Sequence, residues 1–329
     1  MTKGELVTNA IVDRIVRESG VANLLDILVE QLTPSDLQSL LLEVYRQRAA
    51  KHTPATLMAS YEHNRFVRPS ATSAQALIEF DRLAMSLAAP LFEPLELAPV
   101  CPLGTNSVVA AVDQNKAIAT IRNTELVSDS TNVLALECAA RRRMHLRSAG
   151  QAHQRVRLCA SHRLLRPQRA TGPATFSHFR LFGLCTAGRD EGSYRFELDS
   201  LAEQLRLYLR LFSALPARDY RIHSMRVGIT DLTDGTRHES LRTSVIEPLA
   251  AQFPHVQLDL DPHRSAGRNY YAGLCFAVSA RDSADVEHLL IDGGFTTWTQ
   301  QLLSNQKERL LISGIGTERL CSAFRTGAE

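Results

Sequence analysis

Apolar residues recur at helical spacing through the first part of the chain and at alternating positions through much of the remainder. Ile11, Ile15 and Val16 share one face, and Val21 to Leu32 carries a second stripe. Thr33-Pro34-Ser35-Asp36 opens a third helix: Thr33 is a capping residue, Pro34 sits in the first turn where its missing N–H costs nothing, and Asp36 suits the positive end of the dipole. Leu37, Leu40, Leu41 and Val44 then supply a buried face. Residues 1–70 therefore read as an N-terminal helical module. Their balanced charge fits packing or dimerisation, with an RNA grip as the alternative. Residues 64–75 read as a connector.

From Ala76 the pattern changes. Leu77, Phe80, Leu83, Ala84 and Leu87 predict a helix, and Phe92 to Val100 predicts a strand that ends in proline. Alternating apolar stretches predict strands at 108–112, 117–121, 155–160, 179–185, 221–229, 256–260, 270–278 and 286–291. Helices are expected between them, at 132–146, 197–214, 239–252 and 296–304. Strands outnumber helices and several are joined by short turns. This points to an α+β domain over 75–329 built on an antiparallel sheet, not to a doubly wound parallel one. No GxGxxG follows a strand and no GxxxxGK[ST] occurs, so the two common nucleotide folds lack support.

Composition narrows the class further. The chain has 329 residues, 44% hydrophobic and 22% charged, which suits an ordinary globular protein with one large core and a smaller appendage. A net charge of +2 speaks against a dedicated nucleic-acid binder. Six scattered cysteines, with no CxxC or Cys–His ligand spacing, read as reduced thiols in a cytoplasmic protein, with no metal site. No apolar run reaches membrane-spanning length, and no N-terminal signal is read.

Two arginine-bearing segments carry the candidate chemistry. Gly314-Ile315-Gly316-Thr317-Glu318-Arg319-Leu320 places small residues at a strand-to-helix turn and an arginine at the helix start. That arrangement suits a polyphosphate, or is simply a tight turn. Val156 to Gln168 is a strand ending in Arg163 and Arg166, followed by a polar loop at 169–177 and a returning strand from His178 to Cys185. An inward arginine on such a hairpin would hold an α-phosphate beside a carboxylate, as in-line attack on ATP requires. The alternative is a surface hairpin with solvated arginines. His162 and His178 are candidate bases or packing residues. Leu258 to His263 reads as a strand end and turn, with a metal site as the alternative. Arg141-Arg142-Arg143 complements the C-terminus of the 132–146 helix, with an RNA contact as the alternative.

These segments resemble the motifs of class II aminoacyl-tRNA synthetases. The hairpin with Phe179-Arg180-Leu181-Phe182-Gly183-Leu184-Cys185 resembles motif 2, Gly293-Gly294 through Arg319 resembles motif 3, and the strand ending at Pro99 resembles motif 1. Arg264 to Phe276, with Tyr270-Tyr271, and Leu126 to Thr131 are similar to segments of the histidyl-tRNA synthetase core. The resemblance spans residues 75–325. It implies a six- or seven-stranded antiparallel sheet flanked by helices, usually in a homodimer.

By that resemblance Arg163 contacts the α-phosphate and the substrate carboxylate, and Arg319 contacts the γ-phosphate. Glu318 and Gly316 complete the ATP site. Asp129 and Thr131 hold an α-ammonium group, or alternatively cap the 132–146 helix. Tyr270, Tyr271, Arg268, Cys185, Gly293 and Gly294 line the amino-acid pocket. ATP and Mg²⁺ are the implied cofactors.

The departures are as telling. Leu165 replaces the adenine-contacting glutamate, Leu181 and Cys185 replace the imidazole-reading glutamine and glutamate, Ala266 replaces an arginine, and Phe295-Thr296-Thr297 replaces Arg-Tyr-Asp. Unpaired imidazole donors in such a pocket cost on the order of 1–3 kcal/mol each, so histidine is not the expected ligand. The sequence ends shortly after Arg319, where an anticodon-binding domain would follow. The expected activity is ATP-dependent activation of an amino acid or related small carboxylate through an adenylate. Transfer would be to a carrier protein, small amine or peptide in place of intact tRNA. The alternative is a catalytically silent paralogue resembling the regulatory subunit of ATP phosphoribosyltransferase.

Overall fold

The computed structural model describes residues 10–167, 176–233, 235–268 and 270–326. Two compact units divide the chain: residues up to His63 together with Ala119–Thr124 form one, and Asn64–Ile118 with Glu125 onward form the other.

The first unit is helical, but the buried face expected of Leu37, Leu40, Leu41 and Val44 is not found: Leu40 and Val44 are exposed and Leu37 and Leu41 only partly covered. Helices run Ala10–Ser19, Pro34–Ala49 and Pro54–His63, and a short turn Leu24–Asp26 continues as a wider one over Ile27–Gln31. Thr33 caps as expected, its hydroxyl accepting from the Asp36 N–H at 3.2 Å, with Pro34 in the first turn. None of these helices contains a buried residue.

The second unit is built on ten strands: β1 Glu93–Pro94, β2 Val100–Pro102, β3 Thr124–Leu126, β4 Val156–Leu165, β5 His178–Arg189, β6 Ser224–Asp231, β7 Val256–Leu260, β8 Leu274–Arg281, β9 Glu287–Thr296 and β10 Glu308–Gly316. Eight of them form one sheet in the order β1-β4-β5-β10-β9-β8-β6-β7, and β2 pairs with β3 separately. The sheet is thus larger than the six or seven strands expected. The two edge pairs, β1 with β4 and β6 with β7, are parallel, while the interior pairs are antiparallel.

Alternation along the strands divides the core between two faces. One face packs against helices Ala74–Ala88, Arg195–Ala214 and Thr317–Phe324 through Phe80, Phe182, Leu184, Phe196, Phe212, Leu311 and Ile315. The other carries helices Ser130–Arg147 and Trp298–Leu303 over Leu158, Ala160, Cys185, Ala187, Leu310 and Ile312. Those helices cover only part of their face, and the uncovered part is a cavity.

Two predicted strands are absent. Residues 108–112 instead lie at and just after the turn Thr105–Val109, and 117–121 follow the short turn Gln114–Lys116 without forming a named strand. The cause is Glu125, a fully buried carboxylate that gathers the N–H groups of Gly104 and Asn106 and the side-chain amides of Asn106 and Gln114. A buried carboxylate must be satisfied locally, and curling the 104–116 segment around it supplies the donors. The strand expected from Phe92 to Val100 is broken into β1 and β2.

Arg142 also differs from the helix-end cation expected. Arg142 and Glu308 are both fully buried and joined in a fork, Nε to Oε2 at 2.8 Å and Nη2 to Oε1 at 2.9 Å. The remaining donors reach the carbonyls of Gln154 and Ala152 at 2.6 and 2.9 Å. The pair ties the C-terminal part of the Ser130–Arg147 helix to the start of β10. Glu308→Ala strands a buried guanidinium and is expected to cost about 3–5 kcal/mol of unfolding free energy in urea denaturation, with part of the loss recovered by adding Arg142→Met.

Candidate functional site

The cavity has a volume of 620 Å³. Its floor is formed by Leu181 of β5, Ile291 and Asp292 of β9, and Ile312 and Gly314 of β10. The N-terminal turn of the Ser130–Arg147 helix supplies one wall through Asp129, Thr131 and Asn132, and Tyr270 and Tyr271 supply another. Lys116, Arg166 and Arg319 bring three cationic groups to it.

The arginines expected to clamp ATP separate here. Val156–Leu165 is a regular strand paired with β5, Arg163 opposite Arg180 and Leu164 opposite Phe179. Leu158, Ala160 and Leu164 face the cavity side, so the odd-numbered Cys159, Ser161 and Arg163 face the other. There Arg163 meets Glu318 at 3.1 Å and donates to His178 Nδ1 at 2.8 Å. Arg180 beside it pairs with Asp81, which also accepts from Ser161 at 2.6 Å. Arg163 therefore does not join Arg319, which lines the cavity and donates to the Leu289 carbonyl at 2.9 Å. Glu318 is likewise on the far side, fully buried, accepting from the Arg180 N–H at 2.6 Å. Burial raises its carboxyl pKa against the pull of those donors.

Arg166 takes the cavity position that Arg163 does not. It lies just beyond the end of β4, where the alternation lapses, and turns inward. Its Nε donates to the Ser128 carbonyl at 2.7 Å and its Nη2 to Asp129 Oδ2 at 3.0 Å, with the guanidinium 5.1 Å from the Phe179 ring centroid. Most of the loop between β4 and β5, residues 168–175, lies outside the described residues.

Asp129 is extended in backbone and caps the Ser130–Arg147 helix. Its Oδ1 accepts from the Thr131 N–H at 2.9 Å and the Thr131 hydroxyl at 2.8 Å, while Oδ2 holds Arg166. The second cavity carboxylate, Asp292, is held by Arg264 at 2.5 Å. Both acids in the cavity are therefore already paired with arginine, and among the described residues Lys116 has no ion-pair partner.

Tyr270 and Tyr271 pack edge to face at 4.9 Å, and Tyr270 meets Trp298 at 5.6 Å. Burial raises both phenol pKa values, so the rings present neutral walls. Gly294 is what admits Tyr271: a Cβ there would sit 2.6 Å from the ring. A Cβ on Gly293 would meet Ser313 and Phe276 at 2.5 and 2.6 Å, so this glycine serves packing. Gly316 lines the cavity in open space. Cys185 is buried in the neighbouring core, where burial lifts its thiol pKa well above the ordinary value. Arg268 folds back on the carbonyls of Arg264 and Pro262 at 2.7 and 3.0 Å. His178 bridges Arg163 and the Arg68 carbonyl, and His162 is buried, its pKa lowered by that burial.

The residues that sequence reasoning missed are Lys116, Asn132 and Arg166. Arg166 had a signal, since it precedes proline at a strand end. Lys116 and Asn132 had none, because their placement depends on the turns gathered by Glu125.

No protein-family model and no curated protein matches the sequence. Solved structures do. The histidyl-tRNA synthetase of S. aureus is similar with a TM-score of 0.55 over 78% of this chain and 69% of its own, at 13% identity. A Bacillus halodurans protein described as an ATP phosphoribosyltransferase regulatory subunit/histidyl-tRNA synthetase matches at 0.55 over 81% of this chain and 84% of its own, also at 13% identity. A histidine–tRNA ligase subunit from Alicyclobacillus acidocaldarius matches at 0.54, over 78% and 96% of the two chains, at 14% identity. At such identities the likeness is one of fold: this chain has a class II synthetase-like core. No helix among the described residues is long and apolar enough to cross a membrane.

Asp129→Ala removes the helix cap and releases Arg166, and thermal or urea denaturation is expected to report a loss of about 1 kcal/mol or slightly more. Asp129→Asn keeps an oxygen for the Thr131 N–H and should lose less.

Proposed function

We propose that this chain is a non-activating relative of the synthetase core that binds a small carboxylate in its cavity and acts as a regulatory subunit. The observation that carries this reading is the separation of Arg163 from Arg319 by the sheet. Attack of a carboxylate on ATP needs the α- and γ-phosphates gripped together while charge develops between them. With Arg163 held by Glu318 and His178 on the far face, the motif 2 half of that grip does not reach the cavity.

The carboxylates tell the same story. Mg²⁺ accompanying ATP takes oxygen ligands, commonly one or two carboxylates. Asp129 and Asp292, the acids of the cavity, are both engaged by arginines. The cavity does not fit Mg²⁺–ATP well, and no chemical step is assigned to it. What remains is a cationic, aromatic-walled pocket suited to a small anion. Lys116 and Arg319 supply the charge left after Arg166 is paired with Asp129, and Tyr270 and Tyr271 the apolar contact. The regulatory role is supported by the fold shared with the Bacillus halodurans protein, whose description includes an ATP phosphoribosyltransferase regulatory subunit. The fate of a bound amino acid would then be recognition without turnover.

Amino-acid-dependent ATP–pyrophosphate exchange, run on the full chain with each of the twenty common amino acids, is expected to stay at background. Calorimetric titration with the same amino acids and with simple carboxylates is expected to find a ligand whose affinity falls about 10- to 100-fold in Arg319→Ala, the loss of one charge-assisted hydrogen bond. Exchange above background that disappears in Arg319→Ala would establish the activating reading in its place.

A further inference from the structure

Asn132 lines the cavity yet is only 1% exposed, and its Oδ1 has no hydrogen-bond partner among the described residues. An orphaned amide oxygen beside a cavity is a position waiting for a donor, because a buried polar atom without a partner is disfavoured. Its identity as oxygen follows from the network behind it. Glu125 is fully buried and takes four N–H donors: Gly104 N at 3.1 Å, Asn106 N at 2.8 Å, Asn106 Nδ2 at 2.7 Å and Gln114 Nε2 at 2.6 Å. Burial alone raises its pKa, but these bonds together hold it below the ordinary carboxylate value, so it is ionised at neutral pH.

An ionised carboxylate only accepts, so Asn106 must turn its Nδ2 toward Glu125 and its Oδ1 away. That Oδ1 also only accepts, so Asn132 must offer it Nδ2, which it does at 2.8 Å. The remaining side-chain atom of Asn132 is then necessarily Oδ1. A charge outside the cavity lining thus dictates, through two amides, which atom of Asn132 is left without a partner.

We infer that Asn132 is a specificity-determining residue that reads a hydrogen-bond-donating substituent, amino or hydroxyl, on the carboxylate ligand, with Glu125 and Asn106 as the residues that position it. This rests on the carboxylate-binding reading above. Lys116 and Arg319, the cavity cations not already paired with an acid, take the carboxylate, and the neutral Asn132 oxygen takes the N–H or O–H. Asp129 already accepts from Thr131 and Arg166, whereas Asn132 Oδ1 accepts from no described residue. A carboxylate lacking the donor leaves Asn132 Oδ1 orphaned and binds more weakly.

The test is calorimetric titration of the full chain with matched sets of carboxylates differing in one group: alanine, lactate and propionate, and the corresponding sets with longer and aromatic side chains. The expected result is that at least one donor-bearing member binds ten times or more tightly than its unsubstituted partner, the amino and hydroxy arms showing which donor is preferred. Asn132→Leu is expected to erase that ratio while retaining the affinity for the unsubstituted acid. Glu125→Gln is expected to lower the ratio as well, because an amide at 125 lets the relay reverse and present Asn132 Nδ2 to the cavity. A merely structural role for Glu125 would not alter selectivity. Should Asn132→Leu fail to fold, the wild-type ratio and Glu125→Gln decide the matter. Equal affinities within every set that binds, or an undiminished ratio in the folded Asn132→Leu variant, overturn this inference alone. Absence of binding by every carboxylate overturns it together with the carboxylate-binding reading.

Discussion

A β-strand turns successive side chains to opposite faces, and this period of two governs the site more than any single contact. β4 and β5 pair without interruption from Val156 to Leu165, so every residue of β4 has its face assigned by its neighbours. Leu158, Ala160 and Leu164 are needed in the core beneath the Ser130–Arg147 helix and its flank, and Cys159 in the opposite core. Arg163 cannot follow Leu164 into the cavity without moving that whole apolar set to the wrong side. Its guanidinium is instead absorbed by Glu318 and His178. Arg166, past the end of the strand, is released from the alternation and takes the inward position.

The cavity that results is largely self-neutralised. Asp129 answers Arg166 and also caps the helix; Asp292 answers Arg264. Paired groups of this kind hold a pocket open in a defined shape while offering little free acid for a metal or an ammonium group. The unspent capacity lies with Lys116, with Arg319 and with the amide oxygen of Asn132. Glu125 connects these features, because gathering its four donors creates the turns that carry Lys116 to the rim and orients Asn106 against Asn132. One buried carboxylate therefore shapes both the segment that failed to become strand and the polarity of the cavity wall. Such networks are costly when half satisfied, which is why the free Asn132 oxygen is informative.

Much of the architecture was legible in the chain. Thr33-Pro34-Ser35-Asp36 marks a helix start that the Thr33 cap realises, and the stripe through Leu77, Phe80, Leu83 and Ala84 becomes the buried face of Ala74–Ala88. Val256–Leu260 is the predicted strand to the residue, and the glycines and arginine around Gly316 and Arg319 do lie at the end of β10 and the start of a helix. Local pattern carries such elements because capping, periodicity and turn chemistry act over a few residues. Arg142 shows the limit: within a run of three arginines it is indistinguishable from its neighbours, yet it alone is fully buried, against a glutamate far along the chain.

Most of the helices and longer strands, the α+β class and the existence of an arginine at each candidate motif belong to the sequence by itself. Which face Arg163 takes, that Arg166 replaces it, and that Asn132 presents an oxygen were decided only in the folded protein. The physical reason is that register and polar satisfaction are collective: each depends on partners distant in the chain, brought into contact only when the sheet is paired and the carboxylate of Glu125 is enclosed.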